Sequence, residues 1–342
     1  MLQLKNNTAI SPAITVLPNE KGIDTLYIIL KASFKILPKV KLLETQIPPF
    51  QGDVYWGEPA QSSIKYASDI HLGKAATDII LIGNAQAKNR PLTSHLNVSL
   101  QVARQKLELA VFGDREWKSG NISRPAPFEQ MPLVYEKAFG GAHLIQQKDK
   151  NRTTTLSEPR NPVGKGFIGK REGKEINGIQ LPNLEDPRQL ISTSRDQPAP
   201  ACFGFISPAW QPRFQYAGTY DEAWRNNTAP YLPNDFDKRF FSMAHQALIT
   251  EQYLKGNEPI QIKNASPLGE LNFCVPINPF GVLVHIKDRK EKPPLFMETV
   301  LVEPNENRFS VVWRASTPCD KETLNIKQID INYLSQKHQG VA

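Results

Sequence analysis

Cysteine is scarce in this 342-residue chain: there are three, Cys202, Cys274 and Cys319, odd in number, far apart and with no CxxC pair. That excludes a disulfide scaffold or a zinc ribbon and makes reduced thiols the default. Long hydrophobic runs are missing as well. The longest, such as 79–82, fall far short of the roughly 20 apolar residues a membrane-spanning helix needs. Residues 1–10, MetLeuGlnLeuLysAsnAsnThrAlaIle, lack the apolar core of a signal peptide. Together these absences predict a cytoplasmic protein without membrane insertion. Charge of one sign is not clustered either. The net charge is +7, but the richest basic runs, 170–174 and 287–292, are interrupted by acids, so the electrostatic footprint of a nucleic-acid binder is absent. Attraction to an acidic protein partner fits that charge equally well.

Catalytic and cofactor motifs fail on inspection. Gly164-Lys-Gly166-Phe-Ile-Gly169 matches GxGxxG, but it follows Asn161-Pro162 rather than a strand, and no helical pattern comes after it. The dinucleotide context is therefore missing. Gly73-Lys74 resembles a P-loop ending, with Ser68 where the first glycine belongs and Ala75 where Ser or Thr should stand. Ser62-Ser-Ile-Lys65 fits SxxK without its companions SDN and KTG. The six histidines are isolated, with no HxH or HExxH spacing, so no metal or other cofactor is expected. His71 lies close in sequence to Asp69 and Asp78. A fold that joined these three would make a carboxylate/His site, the basis of a rival reading as a hydrolase or carbohydrate-binding effector.

What the chain has in abundance is proline, 28 residues or about 8% against a usual 5% or so, and β-strand patterning. Residues 26–36 are β-branched and aromatic, and 76–83 reads as a strand buried on both faces. Leu96, Val98, Leu100 and Val102 alternate with polar residues, as do Leu107, Leu109 and Val111. The short link 103–105 makes the two a hairpin. Further strands are expected over 260–263, 271–275, 281–286 and 324–333. A hairpin is expected from 299–303 to 309–314 around Pro304-Asn-Glu-Asn307. Helix signals are few: Asp235 as cap of a short helix carrying Phe236, Phe240 and Ala244, and a weaker segment at 129–138 broken by Pro132. The segment 140–200 reads as long loop. The expected fold is mainly β, sandwich or barrel-like antiparallel sheets with long Pro/Gly-rich loops and a few short helices.

The densest feature is residues 203–241, which hold 11 of the 30 aromatic residues of the chain, about three times an even share. Six Pro and Gly residues between 204 and 233 forbid one long helix. Such a segment is either a rigid loop pinned into a core or a rigid surface for a partner. Trp210, Tyr220 and Trp224 are expected to be mostly buried, bracing the loop, although the two Trp residues would also suit a sugar-binding face. Arg213 and Arg239 are expected to pair with carboxylates such as Asp221, Asp235 or Asp237. These residues are the partner-binding or loop-bracing candidates.

In order along the chain come Lys31-Ala-Ser-Phe34, Ser68-Asp69 with Lys74-Ala-Ala-Thr-Asp78, Val111-Phe-Gly-Asp-Arg-Glu-Trp117, the run 127–141, and Asn161-Pro-Val-Gly-Lys-Gly-Phe167. Leu181-Pro-Asn183, Ala217-Gly-Thr-Tyr-Asp221 with Trp224, Leu232-Pro-Asn-Asp-Phe-Asp237 with Arg239-Phe-Phe241, Gly256-Asn-Glu258 and Trp313-Arg314 follow. As an ordered set they resemble a bacterial domain-of-unknown-function family found with type VI secretion genes, beside VgrG and PAAR spike genes. Met243-Ala-His-Gln246 departs from the proline-containing turn that the family pattern leads one to expect, which puts the local turn in doubt. The resemblance implies one adaptor-like domain, 1–342, divisible into an N-terminal β part (1–140), a loop-rich middle (141–256) and a C-terminal β part (257–342). It also implies a non-catalytic chaperone whose partners are a secreted effector and the PAAR/VgrG spike proteins, with no transferable site residues.

Overall fold

The computed structural model describes residues 2–89, 91–147 and 152–334. Strand makes up 40% and helix 10%, so the mainly β expectation holds; none of the sheets closes into a barrel. Three sheets carry the architecture. The largest has six strands. Its main path runs Ala13–Pro18, Asp24–Lys35, Arg308–Pro318, Phe296–Glu303 and Asp78–Leu81, with Lys41–Leu42 beside Asp24–Lys35. All its pairings are antiparallel except Phe296–Glu303 with Asp78–Leu81, which run parallel. A five-stranded sheet is ordered Leu184–Glu185, Gln105–Phe112, His95–Val102, Pro259–Lys263, Glu270–Cys274. A four-stranded sheet joins Gln3–Asn6, Ile326–Tyr333, Phe280–Ile286 and Arg289–Glu291.

Period-two patterning explains the centre. In Asp24–Lys35, Leu26, Ile28, Leu30, Ala32 and Phe34 enter the main core, while Tyr27 and Ile29 on the other face pack with Val312 and Leu17. Both faces are buried, so residues 26–30 read as an unbroken apolar run. The predicted hairpin pairs Leu100 with Leu107 and Val98 with Leu109, and Ala103 takes the left-handed conformation at its tip (φ 51). The second hairpin turns through Pro304–Glu306 and left-handed Asn307 (φ 50).

Three local expectations are corrected. The segment 129–138 is not a helix: Met131–Pro132 is a short strand, and only Tyr135–Lys137 forms a 3-10 turn. Asp235 does not cap a helix; the turn that follows is 3-10, Lys238–Phe241, and Asp237 caps it by accepting from the Arg239 N–H. Nor is 140–200 all loop, since Ala142–Gln147 pairs antiparallel with Arg152–Ser157. The Met243–Gln246 stretch leads into the 3-10 turn Gln246–Leu248, with the His245 ring accepting from the Ala247 N–H.

The GxGxxG match has a packing cause. Lys165–Gly166 pairs with Phe139–Gly140, and Asn161 Nδ2 donates to the Tyr135 and Phe139 carbonyls. A Cβ on Gly164 would collide with the Asn161 side chain and the Ala138 carbonyl. Close backbone approach, not phosphate binding, accounts for that glycine.

Candidate partner-binding cleft

Asp78–Leu81, at the edge of the six-stranded sheet, is followed in space by the aromatic loop. Trp210 is buried, 6% exposed, and meets the Tyr135 ring edge-on at 5.5 Å. After it, the 3-10 turn Arg213–Ala217 carries Arg213 inward. Arg213 is 4% exposed. Its Nε donates to the Phe240 carbonyl at 2.9 Å and its Nη1 to the Ile206 carbonyl. It does not pair with a carboxylate as expected: among the described residues none lies within ion-pair distance of it. Burial lowers its pKa to about 10. Arg239 does pair as expected, with Nε 2.8 Å from Asp237 Oδ2, and its guanidinium lies over the Tyr216 ring. Asp235 instead accepts from the Thr219 N–H and hydroxyl, at 2.9 and 2.7 Å. Asp221 caps the one α-helix among the described residues, Glu222–Asn227, through the Trp224 N–H.

The expectation that Tyr220 and Trp224 are buried braces fails. Tyr220 is 53% exposed and Trp224 is half-buried. They stack on one another edge-on at 4.7 Å, and the Trp224 indole donates to the Tyr231 carbonyl at 2.9 Å. Trp224 lies on the six-residue helix, which has no buried residue, and Tyr220 lies just before its cap, so the pair forms a surface projection. Only Trp210 has the bracing position.

Between the loop and the sheet edge lies a cleft of about 1030 Å³. Ile206, Pro212, Ala244 and Ile249 give it apolar walls, with Tyr135 and Arg213 also lining it and Arg160, Arg239, His245 and Glu251 among its polar groups. A second trough of about 540 Å³, lined by Tyr253, Phe296 and Trp313 among others, shares Ala75 and Glu251 with it.

Asp69, His71 and Asp78 are buried members of one ionic chain, bonded to its other residues rather than to one another. Lys31 Nζ is 3.1 Å from Asp69 Oδ2, which also accepts from the Phe50 N–H. Lys74 Nζ is 2.6 Å from Asp78 Oδ2 and 2.9 Å from the Thr299 hydroxyl. Asp78 Oδ2 also accepts from the Met243 N–H at 2.7 Å. Arg314 Nε is 2.6 Å from Glu298 Oε2, and its Nη2 donates to the Asp69 carbonyl. His71 sits between these pairs, its Nδ1 accepting from the Gly73 N–H and its Nε2 3.1 Å from Arg314 Nη2. Both carboxylates are thus engaged by lysines. The chain joins strands of the six-stranded sheet and, through Met243, fixes the loop that lines the cleft. Among the described residues no group of three or more His, Cys, Asp and Glu is placed to hold a metal ion, and no helix is long and apolar enough to cross a membrane.

Sequence reasoning missed Lys31, Lys74, Glu298 and Arg314 as a unit. The readable signal was a lone cation inside an apolar strand pattern, as in LeuTyrIleIleLeuLysAlaSerPhe, because a charge there must find a buried partner. It also missed Tyr135 and His245 as cleft residues, for which the sequence carries no signal.

The ring of His71 holds its pKa well below the ordinary histidine range, first by burial and then by the nearby Arg314 and Lys74 charges. A second proton, on Nδ1, would point at the Gly73 N–H from which that nitrogen accepts. His245 is lowered too, by burial. The unfolded chain protonates both near pH 6.5 and the folded protein only at lower pH, so stability is full above that pH and falls below it. The loss is up to about 1.4 kcal/mol per pH unit for each histidine until its folded pKa is reached. Carboxylates held low, such as Asp114 and Asp186, add their loss only below about pH 4. Melting temperatures at pH 7.5 and 5.5 test this: a drop is expected, smaller in His71→Gln, and equal values would contradict it.

The fold and the cleft define a β-rich protein with a loop-walled, mainly apolar cleft. A model for a family described as an uncharacterized protein conserved in bacteria (DUF2169) matches residues 21–314, and the chain belongs to that family. No curated protein and no solved structure matches it.

Proposed function

We propose that this protein is a non-catalytic adaptor or chaperone that binds a type VI secretion effector, or its PAAR-like spike domain, and promotes its loading onto VgrG. The observation that carries the reading is the cleft, with apolar walls, charged groups and a second trough that shares Ala75 and Glu251 with it. A chaperone of this kind covers aggregation-prone apolar surface until a better partner displaces it. Rigid walls suit the task because little conformational entropy is lost on binding. Proline and the buried Trp210 stiffen these walls. The ordered resemblance to proteins encoded beside spike genes supplies the identity of the partners. In this reading the protein works in the cytoplasm, before the cargo leaves.

The test is deletion of the gene. Abundance or secretion of one effector should fall while other substrates of the same machine leave normally, and that effector should co-elute with the protein from cell extract. If every effector is made and secreted as before, the adaptor reading is wrong. With a net charge of +7 and an acidic cargo, raised salt should slow association more than it weakens the docked complex.

A further inference from the structure

Charge in the cleft is locally balanced except at one residue. Arg239 is held by Asp237 and Arg160 by Glu158, while Glu251 is exposed. Arg213 lines the cleft, 4% exposed, with two carbonyls as its only hydrogen-bond partners and with Nη2 unbonded among the described residues. The acids that act on it, Asp78 and Asp53, do so through space, and Asp78 is already paired with Lys74. A desolvated guanidinium without a carboxylate is costly, and its planar fork matches a carboxylate better than any other common group. The surroundings indicate what carries that carboxylate. A cleft of about 1030 Å³, with a second trough that shares Ala75 and Glu251 with it, is at the upper limit of small-molecule sites. Its walls at Ile206, Pro212, Ala244 and Ile249 are apolar, which suits the side chains of an extended segment.

We propose that the cleft receives an extended apolar peptide segment of the cargo bearing one Asp or Glu, whose carboxylate pairs with Arg213. This rests on the reading of the protein as an adaptor and names what it grips. The segment's apolar residues lie along Ile206, Pro212 and Ile249 and run past Ala75 into the second trough.

The test is selection of displayed random peptides on the full-length protein, followed by titration of synthetic peptides. Selected peptides should share one carboxylate flanked by apolar residues. Replacing that Asp by Asn in the peptide should weaken binding roughly tenfold to a hundredfold, the range for a charge-assisted hydrogen bond. Ala75→Trp, at an exposed position where the two troughs meet, should abolish binding without lowering the melting temperature. Arg213→Gln should bring the Asp peptide down to the Asn peptide. Arg213 also ties two carbonyls, so that variant loses stability as well; the Asp/Asn comparison on the unaltered protein decides without it. The inference is overturned if no peptide is selected, if Asp and Asn peptides bind alike, or if Ala75→Trp retains them. If it is overturned while the deletion strain still fails to export one effector, the adaptor reading stands and the grip lies elsewhere. If acidic peptides bind as described but export is untouched, the cleft is real and the adaptor reading falls.

Discussion

Asp78→Ala is expected to destabilise the protein by about 3–5 kcal/mol, the usual cost of removing one partner of a buried ion pair. Asp78 is 0% exposed and Lys74 1%. The substitution leaves the Lys74 ammonium with only the Thr299 hydroxyl and strips the Met243 N–H of its acceptor. Two separate structures lose their support at once, the sheet edge and the loop that walls the cleft. Replacing the pair together, Lys74→Met with Asp78→Val, should recover a large part of the loss, because the uncompensated charge is gone. Thermal melting of the single and double variants decides. A single-variant cost under about 1 kcal/mol would mean that the pair is not the anchor the geometry indicates.

Trp210→Ala should cost about as much, roughly 3–5 kcal/mol, while Trp224→Ala should cost well under half of that. Trp210 is enclosed and packs against Tyr135 in the main core. Trp224 packs on its neighbour Tyr220 and gives one hydrogen bond to the Tyr231 carbonyl. The Trp210 variant should also lose peptide binding, since Tyr135 lines the cleft. Equal melting temperatures for the two variants would show that both tryptophans brace the loop or that neither does.

The strands were legible because their burial is local in origin. Alternation at Leu96, Val98, Leu100 and Val102 tells which face is inward whatever lies opposite, and the short link after Val102 sets the hairpin register. The strands Ala142–Gln147 and Arg152–Ser157 were not legible, because their cross-strand pairs mix apolar with polar residues, as in Leu144 opposite Thr155 and His143 opposite Leu156, and display no consistent apolar face. Within the aromatic loop, composition predicted rigidity but not which ring faces inward. Trp210 and Trp224 are the same residue in similar proline-broken context, and only the position of Tyr135, 75 residues earlier in the chain than Trp210, separates them. Arg213 was misjudged for a related reason: it satisfies itself on backbone carbonyls, which no sequence pattern displays. Arg239 and Asp237 were easier, since a carboxylate two residues away can always be reached.

The pairing of Asp24–Lys35 with Arg308–Pro318 bears on how the molecule is born. Phe34 meets Phe309, 275 residues later. At synthesis rates of about 5–20 residues per second, that partner emerges from the ribosome roughly 14–55 s afterwards. Throughout that interval Leu26, Ile28 and Leu30 on one face, and Tyr27 and Ile29 on the other, have only the short neighbouring strands Ala13–Pro18 and Lys41–Leu42 beside them. A nascent strand with two apolar faces and a missing neighbour is a typical substrate for general folding helpers. A protein proposed to shield others would thus itself need shielding first, and its yield in the cell should follow the supply of ribosome-associated chaperones.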